Sequence, residues 1–194
     1  MANQRLSIGD VVPDFEMTDL AGETVKLSDL KGQKVFLSFY RFATCPLSNF
    51  RVAQAMREHK HFGQEVTFVG VFESSDKYLE KYVKPRQLPF RVIADPKANL
   101  YRAYGVEASW FSTLKGFARV TDVFKALFSS GYKPGMLHGS ISRVPADILI
   151  DEGGTVLAAH YGKDIIDHMP FEELRAYLNQ SSALVQPRLR VVEL

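Results

Sequence analysis

Three short runs of nearly uninterrupted apolar residues, Lys34 to Tyr40, Glu65 to Phe72 and Ala146 to Ile150, are rich in Val, Ile, Leu and Phe. Runs of this length and composition predict strands buried on both faces of a sheet. After the first run the period changes. Pro46 to Phe62 places Leu47, Phe50, Ala53 and Met56 on one stripe and Arg51, Gln54, Arg57 and Glu58 elsewhere, which predicts an amphipathic helix opened by Pro46. Asp76 to Lys84 predicts a second helix stopped by Pro85, Phe90 to Ala94 a short strand closed by Asp95-Pro96, and Lys97 to Tyr104 a helical turn or two. Gly153-Gly154 predicts a tight turn into a last strand, Thr155 to Tyr161. Pro170 to Asn179 then closes as a helix, with Glu172 and Glu173 in its first turn and Phe171, Leu174, Tyr177 and Leu178 facing inward. Strand-helix-strand alternation followed by a hairpin and a helix predicts an α/β layer structure with a mixed central sheet flanked by helices.

Two segments stand outside this frame. From Trp110 to Gly139, Leu114, Phe117, Val120, Thr121, Phe124, Leu127 and Phe128 recur at three- and four-residue spacing against Lys115, Arg119, Asp122 and Lys125. The pattern predicts an inserted amphipathic helix over 110–139. It could cover the sheet, form a lid over Cys45, supply a dimer surface, or lie on a membrane surface. The tail, residues 185–194, alternates Leu189, Val191 and Glu193, which suits an edge strand, a reach to a partner subunit, or a partly ordered end. We read residues 1–194 as one domain, since a chain of this length with 46% hydrophobic residues can bury a core without staples.

Charge and composition narrow the function. A formal net charge of +2, with both signs interspersed, leaves no basic stripe for nucleic acid. No segment approaches the roughly 20 apolar residues of a membrane helix, and the first residues lack a signal-peptide core. No glycine-rich phosphate loop, Gly-x-Ser-x-Gly elbow or dinucleotide fingerprint is present, so no cofactor is implied. His59, His61, His138, His160 and His168 fall at no metal-ligand spacing, although Asp164, Asp167 and His168 cluster. The chain has one cysteine, which fits a reducing compartment and makes the cytoplasm the default location.

That cysteine, Cys45, follows the strand ending Phe39-Tyr40 and precedes Pro46. At the mouth of a helix a thiol meets unpaired amides and the positive end of the helix dipole, which favour the thiolate. Two readings stay open: a reactive nucleophile, or a small buried hydrophobe, as most free cysteines are.

Gly9-Asp10, Pro13-Asp14-Phe15, Gly22, Leu27, Leu30, Gly32 and the strand ending at Tyr40 resemble the redoxin group of the thioredoxin-fold superfamily, which contains the AhpC/TSA peroxiredoxins. The likeness runs from about residue 5 to 180. It implies a thioredoxin-like fold with an N-terminal hairpin, a cis-proline at Pro145 beside the cysteine, and a hairpin turn at Asp151, Gly153 and Gly154. True peroxiredoxins carry proline seven residues and threonine three residues before the peroxidatic cysteine; here those positions hold Ser38 and Phe42. Thr44 directly precedes Cys45, displaced by one residue from any such role. Ser48 stands where a Cys-x-x-Cys motif has its second thiol. The stretch Tyr40-Arg41-x-x-x-Cys45-Pro46-x-Ser48 is thus similar to a monothiol version of peroxiredoxin-like proteins.

The resemblance implies a thiol oxidoreductase acting on a peroxide or a disulfide, with Cys45 as nucleophile. Candidate supports are the amides near Leu47 and Ser48, the Ser48 hydroxyl, and a guanidinium from Arg41 or Arg143. With no second cysteine, regeneration requires an external thiol: glutathione, a thioredoxin-like protein, or Cys45 of another subunit in a homodimer. The competing reading is a binding or adaptor protein that retains the fold without turnover.

Overall fold

A computed structural model describes residues 4–108 and 140–185. The insertion and the tail beyond 185 lie outside the described residues, as does His138. Among the described residues, β1 (Glu16–Thr18) and β2 (Thr24–Lys26) form an antiparallel two-stranded sheet. A five-stranded sheet is built from β3 (Lys34–Tyr40), β4 (Val66–Phe72), β5 (Arg91–Ala94), β6 (Ala146–Ile150) and β7 (Val156–Tyr161) in the order β5-β4-β3-β6-β7. The pairs β3–β4 and β4–β5 are parallel, whereas β3–β6 and β6–β7 are antiparallel. The helices are α1 (Pro46–Phe62), α2 (Asp76–Tyr82), α3 (Asn99–Ala103) and α4 (Phe171–Val185). The strands and helices predicted within the described residues are present close to their expected ends, except that α4 continues to Val185, six residues past its predicted end at Asn179.

β3 lies at the centre of the sheet, and its alternation decides what packs where. Val35, Leu37 and Phe39 face a core shared with Phe15, Ile93, Tyr101 and Tyr104. Phe36 faces the opposite layer, where Phe62 of α1, Phe68 of β4 and Phe171, Leu174 and Leu178 of α4 meet it. Ring centroids there lie 5.1 Å apart for Phe36–Phe68 and 5.5 Å for Phe62–Phe68, the separation at which tilted aromatic pairs add to simple area burial. Tyr40 continues on this face with Val52, Phe72 and Leu79.

One expectation on α1 is corrected. Its buried residues are Leu47, Ser48, Arg51, Val52, Ala55 and Phe62, so the inward face is turned from the stripe that the apolar periodicity marks. Phe50 is 42% exposed. The physical reason is polar: Arg51 is drawn into the interior by partners described below, and the helix turns to seat it.

Candidate functional site

β3 ends at Tyr40, and Arg41 to Thr44 cross to α1, whose N-cap is Cys45 (φ −72°, ψ 121°) with Pro46 in the first turn. The crossing is held at almost every residue. The amide of Cys45 donates to the Phe42 carbonyl (2.9 Å), that of Ala43 to the Ser74 hydroxyl (2.9 Å), and that of Glu73 to the Arg41 carbonyl (3.0 Å). Asn49 donates its side-chain amide to the carbonyls of Ala43 (2.8 Å) and Cys45 (2.9 Å). A loop so fully bonded presents its thiol in one geometry.

Among the described residues, the sulfur meets one strong donor. Arg41 Nη1 lies 3.3 Å from Cys45 Sγ, while Nη2 donates to the Ile141 carbonyl. Among the described residues, Arg41 Nε is buried without a hydrogen-bond partner.

Several expectations for this site are revised. Cys45 is 1% exposed and packs with Phe42, Leu47 and Ile165, so the sulfur is enclosed rather than open to solvent. It makes no cap hydrogen bond; the first-turn amides do not hold it as proposed. The Ser48 hydroxyl accepts the Arg41 amide (3.0 Å), fastening the end of β3 to α1. Arg143 is engaged elsewhere: it forms a two-point pair with Glu73 (Nε to Oε2 2.8 Å, Nη2 to Oε1 3.2 Å), donates to the Val106 carbonyl (2.8 Å) and lies over the Tyr101 ring. The carboxylate takes the fork of Arg143, so this residue props the loop that carries Arg41. No cis peptide occurs among the described residues, and the Val144–Pro145 bond is therefore trans. Pro145 is buried, and its carbonyl accepts the amide of Gly162 (3.0 Å). Thr44 is buried as well.

Sequence reasoning missed a buried polar cluster behind the site. Asp147, fully buried on β6, stands opposite Ser38 of β3. Its carboxylate accepts from the Ser38 hydroxyl (2.7 Å), from the Met169 amide (2.8 Å) and at His168 Nδ1 (2.9 Å), and Arg51 Nη2 lies 3.9 Å away. Arg51 also donates to the Met169 carbonyl (2.5 Å) and stacks on Phe171. Burial pushes the Asp147 carboxyl up, but His168, Arg51 and Ser38 together outweigh it and hold the group well below the usual carboxylate range. Burial pushes His168 down, with Asp147 pulling against it. Burial also raises Tyr40. The available signal was a single carboxylate inside the apolar run Ala146 to Ile150, which must be paired if that run is buried.

The sequence profile of the AhpC/TSA family matches residues 8–159. The chain belongs to the AhpC/TSA family. This AhpC/TSA chain is 31% identical over 102 residues to peroxiredoxin Bcp of Bacillus subtilis (strain 168), covering 52% of the chain and 65% of that protein. It is 30% identical over 105 residues to the thiol-disulfide oxidoreductase ResA of Bacillus thuringiensis subsp. konkukian (strain 97-27), covering 53% of the chain and 60% of that protein. The chain thus spans less than two thirds of either curated relative. The crystal structure of peroxidoxin BcpB from Mycobacterium tuberculosis superposes with a TM-score of 0.64 at 20% identity, covering 93% of this chain and 99% of that one, which establishes the thioredoxin-like fold.

Proposed function

We propose that this AhpC/TSA protein is a thiol oxidoreductase that works through Cys45 alone. The observation that carries this reading is the guanidinium of Arg41 at 3.3 Å from the only sulfhydryl of the chain, at the head of α1. The Cys45 thiolate attacks the terminal oxygen of a hydroperoxide; the O–O bond breaks, the alcohol or water leaves, and the sulfur becomes a sulfenic acid. An external thiol then displaces water to give a mixed disulfide. A second thiol attacks that disulfide, restoring Cys45 and leaving with the first as an oxidised pair. With a disulfide substrate the mixed disulfide forms directly. Glutathione or a thioredoxin-like protein in the cytoplasm supplies the electrons, and a homodimer offers Cys45 of the second subunit as another route.

The enclosure of Cys45 favours a second reading, an adaptor that does not turn over. Peroxide-dependent oxidation of glutathione, or of thioredoxin with its reductase, separates the two. We expect turnover in the wild type and none in Cys45→Ser; a wild type no faster than buffer would leave the adaptor standing. Ser48→Cys supplies the missing resolving thiol three residues on, on the same face of the first turn. After one equivalent of peroxide this variant is expected to hold no titratable thiol, having closed an internal disulfide, and to recycle faster than the wild type.

A further inference from the structure

Cys45 is enclosed, yet any reductant must bring its own sulfur in line with it, so something has to open. One candidate among the described residues is the segment between β7 and α4. Ile165 is itself 2% exposed and packs against Cys45, with Ile166 beside it. The same segment is tied down a few residues later. His168 Nδ1 and the Met169 amide bond Asp147 on β6, and Arg51 of α1 donates to the Met169 carbonyl. At its start it is clamped where Gly162 meets Pro145: a side-chain carbon on Gly162 would lie 2.5 Å from the Asp167 carbonyl and 3.0 Å from that of Pro145. Asp167 holds the turn by accepting the Lys163 amide (2.8 Å) and meeting His160 Nε2 (3.2 Å).

We propose that residues 162–170 form a strap over Cys45, latched by His168 and the Met169 amide on Asp147 and by the Met169 carbonyl on Arg51, and that release of this latch admits the second reactant to the sulfur. The inference rests on Cys45 being the reacting thiol. His168 and Asp147 are then positioning residues, acting on Cys45 through Ile165. Apart from the latch itself, the groups facing His168 among the described residues are Tyr40 of β3, at 5.7 Å between ring centroids, and His160 of β7. The closed strap keeps the imidazole in a buried site that disfavours its charged form, and an open strap returns it to water. Opening therefore takes up a proton, and acidification below the ordinary histidine value of 6.5 favours it.

Because the chain has one cysteine, alkylation reads this sulfur alone and needs no turnover. The measurement is the labelling rate of the full chain with iodoacetamide and with a bulky fluorescein maleimide, at several urea concentrations below the unfolding transition. His168→Leu removes the latch and Ile165→Ala the cover. Each is expected to label roughly tenfold faster or more, with the larger gain for the maleimide and a rate flat in urea, the mark of local opening. His168→Asn, which keeps a donor near the Nδ1 position, is expected to return towards the wild-type rate. Folded His168→Leu and Ile165→Ala proteins that label at the wild-type rate would overturn the strap. So would rates that climb with urea as steeply as global unfolding in every variant. Neither result depends on whether peroxide is reduced, so the strap and the proposed activity fail separately.

Discussion

Asp147→Ala is expected to destabilise the protein by about 3–5 kcal/mol, the usual cost of removing one member of a buried charged cluster and stranding the rest. Among the described residues, the substitution leaves Arg51 with the Met169 carbonyl as its hydrogen-bond acceptor beside the Phe171 ring, its Nε having no hydrogen-bond partner, and deprives the Ser38 hydroxyl, the Met169 amide and the His168 ring of their acceptor. Urea denaturation followed by far-UV circular dichroism measures the loss as a lower midpoint at similar slope. Asp147→Asn is expected to fall between, because its amide nitrogen must face a donor. The pH dependence has a definite sign. His168 is depressed in the folded protein, so below the ordinary value of 6.5 the unfolded chain binds the extra proton and stability declines. Asp147 is depressed as well, and its contribution, present above the ordinary 3.8, is lost as the pH falls further through its folded value. A wild-type midpoint that stays level from pH 7 to 5 would contradict this account, and His168→Leu should blunt the decline over that interval.

The division between what was legible and what was not follows residue environment. Strands such as Lys34 to Tyr40 announce themselves because burial on both faces demands a continuous apolar run, and Pro46 after Cys45 marks a helix start since proline suits a first-turn position. The mixed character of the sheet and the place of Cys45 at the head of a helix follow from those two signals together with the family pattern. The inward face of α1 does not. A periodicity argument sorts residues by apolarity, and it placed Arg51 outside because a lone arginine is normally solvated; the acceptor that reverses this, Asp147, is supplied by a strand 96 positions later in the chain. The same blindness affected Arg143. Its nearness in sequence to Pro145 suggested the thiol, whereas Glu73, on the loop after β4, offers a carboxylate that matches the guanidinium fork.

Arg41→Met is expected to slow the reaction of Cys45 with hydrogen peroxide by about 10- to 100-fold at pH 7, while leaving stability unchanged or raised. The rate loss follows from deleting a charge-assisted contact at 3.3 Å, for which hydrogen bonds to charged groups give about 1.5–3 kcal/mol. The stability expectation follows from the other nitrogens. Arg41 is 5% exposed, with Nε unpartnered among the described residues and Nη2 on a backbone carbonyl, so an unbranched methionine removes a desolvated charge and an orphan donor together. Arg41→Lys keeps the charge as a compact point but loses the fork, and should retain part of the rate. Stopped-flow oxidation and thermal unfolding on the same preparations give the two numbers. A residue kept for packing would lower both on replacement. A rate that falls with no loss of stability is what a buried cation retained for its effect on the sulfur requires, because a stable fold would otherwise exchange it for a hydrocarbon.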